Sequence, residues 1–324
     1  MTPKLHIISA DAGGSIDATL RQNLLIHLPN QTSLLGADAV IVVVSYFEDF
    51  HFNELLYSID KPVILVDMLE YFGFALEGFT YLLGEGDLPC NLSAYPQWQK
   101  LSDWVASHPP ILYFKRELLQ QHRTERVIPI EWPCVLPAWE IESKAAFDRR
   151  PFEVFYSWGY SNALRPRLAG EIYDLMADGK IEVVSSFDHI DAKINEPQRK
   201  WISIHTPHTH RVHINDIMRR QAQSKMSVSL PGSGRCCFRS TEVAVHTVPV
   251  MLDDGHAWSH PWVDGLNCLK IHDKSVESMA LQLFYDAEVS SLHDLYVEAQ
   301  RTIECYRTEP YIRDYIMPAI QKVL

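Results

Sequence analysis

A chain of 324 residues, 47% hydrophobic and 22% charged, is long enough for two domains and has the composition of a globular protein rather than a disordered one. The formal charge of −12 argues against a protein that coats nucleic acid, whose surface would be basic throughout. No apolar run reaches the roughly 18–20 residues of a membrane span, and six cysteines without zinc-ligand spacing read as reduced thiols.

The opening "MTPKLHIISADAGGS" lacks the apolar core of a signal peptide, so a cytoplasmic location is expected. Within it "LHIISA" (Leu5–Ala10) predicts a short strand, followed by a flexible turn and an amphipathic helix from about Ile16 to His27. "ADAVIVVVSY" and "KPVILVDM" are β-branched runs without alternation, the signature of strands buried on both faces. "PPILYFKREL" and "RVIPIEWPCVLP" supply two more strand-like pieces. The polar stretch at 137–151 reads as a boundary. After it "FEVFYSWG" predicts a strand, "SNALRPRLAGEIYDLMADG" a helix, "IEVVSSF" a strand, "INDIMRRQAQSK" a helix and "MSVSLPG" a strand. "STEVAVHT" reads as a helix, "VPVMLDD" and "LNCLKI" as strands, and the rest from about Ser275 as a helical tail whose Tyr306, Tyr311 and Ile316 face a core. Strands alternating with helices predict mostly parallel sheets with both faces covered.

Charge is distributed unevenly. Residues 199–239 carry Arg199, Lys200, Arg211, Arg219, Arg220, Lys225, Arg235 and Arg239 against one acid, Asp216. A local positive stretch in an acidic chain fits a small anionic ligand. It runs into "PGSGRCCFRSTE", where a strand-like segment breaks into glycines, two arginines and a glutamate.

"CFRSTEVAVHTVPVML" resembles the segment of exostosin-like glycosyltransferases that reads Phe-Arg, two spacer residues, Glu, a helix and a Pro-Val strand. "FYSWGYSNALRPRLAGEIYDLM" is similar to the start of their nucleotide-binding domain, and "DGLNCLKI" to a later Asp-Gly-x-Asn-x-Leu phrase. The resemblance covers about residues 152–272. One place departs from it: five positions after the glutamate, where the family commonly has glycine or another small residue, stands Thr247. The resemblance implies two Rossmann-like, doubly wound α/β domains facing a cleft (the GT-B type). The first would span 1–145 and bind the acceptor. The second would span 146–300 and bind a nucleotide-sugar donor, and 301–324 would form a helix packing back on the first.

A nucleotide-diphosphate leaving group gains negative charge as the sugar bond breaks, and fixed arginines with backbone N–H groups stabilise it. Gly232, Ser233 and Gly234 can bring backbone close to phosphate oxygens that Arg235 and Arg239 would pair with. Glu242 lies one helical turn beyond Arg239. The resemblance assigns it to the ribose hydroxyls, and the alternative is an i,i+3 partner that only orients Arg239. Arg165 is a further phosphate candidate or a solvated helix residue, and Ser157, Gly159 and Tyr160 would line the same floor. Asp11, ending a strand beside two glycines, is the first choice for a catalytic base if the transfer inverts, with Asp67 and Glu70 next; a retaining transfer needs none. His205, His208, His210 and His213 suit neither one helix face nor one strand face and read as loop rather than metal ligands. Trp258 and Trp262 either stack on a ligand ring or pack a loop rim.

The expectation is a metal-independent glycosyltransferase needing no cofactor, moving a sugar to the hydroxyl of a glycan or lipid-linked precursor. Two alternatives stand beside it: transfer to a hydroxylated base of DNA, disfavoured by the charge, and a non-catalytic module that binds nucleotide sugars or other anions.

Overall fold

The computed structural model describes residues 2–9, 28, 32–44, 54–68, 103–116, 118–134, 136, 139–159, 168, 181–186, 214–230, 241–273, 275, 278–279, 282–283, 286 and 291–324. The chain divides into two compact units. The first comprises Met1–Pro133, Gly255–Pro261 and Tyr306–Leu324, the second Cys134–Asp254 and Trp262–Cys305.

In the first unit β1 (Leu5–Ser9), β2 (Ala39–Val44), β3 (Val63–Asp67), β4 (Leu112–Lys115) and β5 (Val127–Pro129) form a parallel sheet in chain order. The register pairs Ile7 with Ile41, Val42 with Leu65, Val66 with Phe114 and Phe114 with Ile128. Every residue of β2, β3 and β4 is buried, as unalternating apolar runs require when a sheet is covered on both faces. Trp104 fills one side of this core and donates its indole N–H to the Leu56 carbonyl at 3.1 Å.

Two charges are buried with it. Asp67 and Lys115 are register partners, so their side chains emerge together. The ammonium sits 3.1 Å from the carboxylate with neither exposed, and the Tyr113 hydroxyl donates to the same Asp67 oxygen at 2.5 Å. Asp67 is therefore a partnered core residue and not the solvent-reachable base that its place at a strand end suggests.

The tail behaves as its pattern predicts in burial: Tyr306, Tyr311, Ile316 and Ile320 are all inside. Its helix is not uniform. Thr308–Tyr311 is α-helical, Ile312–Ile316 widens into a π-helical turn, and Met317–Val323 resumes with Pro318 in its first turn. Proline lacks the N–H and crowds the carbonyl four residues back, which a wider preceding turn relieves. Tyr311 also reaches Glu131, just after β5. The buried Glu131 carboxylate accepts the Ser259 N–H at 2.8 Å, the Ser259 hydroxyl at 2.5 Å and the Tyr311 hydroxyl at 2.7 Å.

In the second unit β6 (Phe152–Gly159), β7 (Ile181–Ser186), β8 (Ser224–Ser229), β9 (Val248–Leu252) and β10 (Leu269–Ile271) form a parallel sheet in the order β10-β9-β8-β6-β7. The strand order reverses at β6, which pairs with β7 on one side and β8 on the other, as in a doubly wound sheet. Its core holds Val154, Tyr156, Met226, Val228, Val248 and Val250.

The polar stretch at 137–151 is not a bare linker. Ser143 caps the short helix α1 (Lys144–Asp148) by accepting the Ala146 N–H, and Phe147 is fully buried against Tyr296, ring centroids 5.0 Å apart. Arg150 lies over both rings, pairs with Glu142 at 3.2 Å, and donates to the carbonyls of Ser224 and His246 at 2.5 and 2.6 Å. Its charge hides in composition statistics but is spent inside the fold. The Asp-Gly-x-Asn phrase at 264–267 is a turn. Gly265 adopts φ 70°, where a side chain would strain the backbone; Asp264 accepts the Lys270 N–H, and Asn267 donates to Thr302 on α3 (Leu292–Cys305). Ile214–Gln221 forms helix α2, leading into β8.

Candidate functional site

In an open parallel sheet, ligands sit beyond the carboxyl ends of the strands at the point where strand order reverses. Here that point lies between β6 and β8. β6 ends in Ser157-Trp158-Gly159, in register with Val184-Ser185-Ser186 of β7. β8 ends at Ser229, and the buried Leu230 leads directly to the segment containing Gly232, Ser233, Gly234 and Arg235. The carboxyl ends of β6 and β8, about 70 residues apart in sequence, thus lie side by side at one sheet edge on adjacent parallel strands. Asp253, just past β9, leaves at that edge too.

Between β8 and β9 the described chain resumes in helix at Thr241 and Glu242, then tightens into a 3-10 turn, Val243–Val245. Glu242 is half-buried with helical backbone (φ −65°, ψ −39°). The last carbonyls of a helix lack partners of their own, and here side chains supply them. Gln221 Nε2 donates to the carbonyls of Glu242 at 3.2 Å and Val243 at 2.7 Å, and Thr247 Oγ1 donates to Val243 O at 2.6 Å. Gln300 Nε2 donates to Ala244 O, and Arg150 holds His246 O. Gln221, Gln300, Arg150 and Thr247 are all buried.

Of the residues that the sequence singles out, Ser157, Gly159 and Glu242 lie on described backbone of the second unit. Asp11, Glu70, Tyr160, Arg165, Gly232, Ser233, Gly234, Arg235, Arg239 and the histidines 205, 208, 210 and 213 lie outside the described residues. The basic stretch is not all available to a ligand. Arg219 and Arg220 sit in the last turn of α2, before β8 begins, where cations complement the helix carbonyl end. Lys225, also at the amino end of β8, pairs with Glu153 of β6 at 2.9 Å. Trp262 is buried at 2% exposure, which makes it core rather than a stacking platform, while Trp258 packs edge-on against His256 at 4.5 Å. Among the described residues no group of three or more His, Cys, Asp or Glu is placed to hold a metal, and no helix is long and apolar enough to cross a membrane.

Sequence reasoning missed Gln221, Gln300 and Arg150. Their contacts span 21, 56 and 96 positions, and no local spacing announces them.

No protein-family profile matches the sequence, and no curated protein is similar to it in sequence. Solved structures are similar in fold. A glycosyltransferase from Rickettsia africae superposes with a TM-score of 0.56 at 9% identity, over 99% of this chain and 98% of its own. An alpha,alpha-trehalose-phosphate synthase (UDP-forming) from Burkholderia vietnamiensis gives 0.52 at 13%, over 95% of this chain and 76% of its own. A putative UDP-N-acetylglucosamine 2-epimerase from Listeria monocytogenes gives 0.51 at 11%, over 99% and 96%. With its two parallel-sheet α/β units, the chain has the two-domain GT-B fold.

Proposed function

We propose that this protein is a glycosyltransferase that moves a sugar from a nucleotide-diphosphate donor to an acceptor hydroxyl, with the donor held at the reversal of the second sheet. One observation carries the reading. The β6–β8 adjacency brings the Ser157–Gly159 end of β6 and the Ser229 end of β8 to one sheet edge, where an open α/β sheet binds its ligand, and Gly232–Gly234 follow Ser229 in sequence. The names of the structural neighbours support it: a glycosyltransferase, a UDP-forming synthase and an enzyme named for UDP-N-acetylglucosamine share the fold. The exostosin-like resemblance of Phe238-Arg239-x-x-Glu242 adds the finer family assignment.

In this reading the backbone of Gly232, Ser233 and Gly234 approaches the diphosphate, with Ser157 and Gly159 beneath it. Arg235, Arg239 and Arg165 neutralise the charge that collects as the anomeric C–O bond breaks, and Glu242 accepts from the ribose hydroxyls. The acceptor oxygen forms the new bond to the anomeric carbon, and its proton passes to Asp11 in an inverting transfer. The arginines supply the positive charge, so the reading needs neither metal nor cofactor. The acceptor is a glycan or lipid-linked hydroxyl and the setting is cytoplasmic.

The test is a thermal-shift screen of nucleotide-diphosphate sugars on the wild type, Arg239→Ala and Asp11→Asn. A donor at 100 times its dissociation constant adds about 2.7 kcal/mol of stability. A shift with one donor that Arg239→Ala loses and Asp11→Asn keeps is expected, with transfer or donor hydrolysis lost in both variants. A wild type that responds to no donor would refute the proposal.

A further inference from the structure

We infer that Gln221 and Thr247 are positioning residues that set Glu242 against the ribose of a bound nucleotide; the inference rests on the donor reading above and assigns that site two further residues. Both act through backbone. Gln221, the last residue of α2, donates one amide group to the carbonyls of Glu242 and Val243, at 3.2 and 2.7 Å. Thr247, the residue before β9, donates its hydroxyl to the same Val243 oxygen at 2.6 Å. The Val243–Ala244 peptide is thereby held from two elements and the Glu242–Val243 peptide before it by Gln221, through side chains that are 3% and 0% exposed.

That anchorage falls where the helix is weakest. Glu242 is the last helical residue before the chain tightens into a 3-10 turn, and carbonyls at such an end have no partner within the helix. Left to water, the terminal turn would fray and carry the half-buried carboxylate with it. A carboxylate that must accept from two neighbouring hydroxyls works only if its orientation is fixed before the ligand arrives. Thr247 also accounts for the one departure from the exostosin-like pattern. Its hydroxyl is turned back onto its own turn, so the larger residue adds a tether to Val243 that glycine cannot make.

A purely structural cap would stabilise the fold and leave ligand discrimination alone, which separates the two roles. The experiment measures dissociation constants of UDP, GDP and ADP and of their 2′,3′-dideoxy forms by calorimetry, well below the unfolding temperature. The proteins are wild type, Thr247→Val, Thr247→Ser and Gln221→Met. The wild type should prefer the ribose form. Thr247→Val, which keeps shape and removes the hydroxyl, should weaken the ribonucleotide about 3- to 10-fold, the scale of one hydrogen bond, with the dideoxy form unchanged. Thr247→Ser should restore the preference, and Gln221→Met should repeat the loss; should Gln221→Met fail to fold, the threonine pair decides. Equal weakening of both forms, or no weakening in a folded Thr247→Val protein, would overturn the positioning role and leave the donor reading standing. Equal wild-type affinity for the two forms would overturn the ribose assignment of Glu242. A wild type that binds none of the three diphosphates would overturn the donor reading, and the inference with it.

Discussion

Tyr311 donates its hydroxyl to Glu131 across 2.7 Å and accepts the Glu131 backbone N–H at 3.1 Å, tying residues 180 positions apart in the chain. Ser259 gives the same carboxylate its N–H and its hydroxyl. These three donors and the charge of Arg123 favour the ionised form. Burial opposes them and prevails, pushing the Glu131 carboxyl up from 4.5 to about 7. Burial and the neighbouring Glu131 charge push the Tyr311 hydroxyl well above its ordinary value in turn, and Tyr315, stacked on Tyr311 at 5.4 Å, shifts the same way.

A pH dependence follows. In the unfolded chain Glu131 ionises near 4.5 and in the folded chain near 7, so between these values unfolding releases a proton. Stability should therefore fall as pH rises through that window, by about 3 kcal/mol from this group, and level off above it. Glu131→Gln should remove this component of the slope. Urea unfolding of both proteins between pH 4.5 and 8 checks it: curves that run parallel would mean that the folded carboxyl ionises at its ordinary pH.

Removing one half of the Asp67–Lys115 pair should cost more than removing both. Lys115→Met leaves a carboxylate inside a sheet covered on both faces, an arrangement that typically costs about 3–5 kcal/mol. The double variant Asp67→Asn, Lys115→Met should recover most of the loss. Denaturant midpoints of the two proteins decide it, and a double variant no more stable than the single one would contradict this account.

Arg150 should be a sensitive position of the second unit outside its apolar core. Arg150→Met removes the donor shared by two buried carbonyls, Ser224 O and His246 O, and breaks the pair with Glu142, a loss expected to reach about 2–5 kcal/mol. Arg150→Lys keeps the charge, but a point ammonium lacks the planar guanidinium whose Nη1 meets both carbonyls while its Nε meets Glu142, so it should recover less than half. Thermal unfolding monitored by circular dichroism measures both.

Strands were the most legible feature of the sequence because burial on both faces leaves no choice of residue. "VILVD" and "AVIVVV" lie inside β3 and β2, and "FEVFYSWG" is β6 from end to end. The "STEVAVHT" helix is legible in kind but not in detail: it tightens to a 3-10 turn at Val243 as it closes toward β9. Charge was the least legible. Lys225 counts toward a basic stretch in composition yet is matched by Glu153, and Arg150 and Asp67 look like surface residues until their buried partners are seen.

The sequence alone determined the α/β class and the strands, because hydrophobic periodicity and turn chemistry act within a few residues. Tertiary structure alone decided the strand order, and so which segments share an edge. It also decided that Asp67 is neutralised, that Gln221 and Thr247 hold the Glu242 turn, and that Glu131 anchors the tail. Apart from the local Thr247–Val243 bond, those outcomes depend on contacts 21 to 180 positions apart, and only the closed core sets the distance, desolvation and pairing that make a polar residue an anchor.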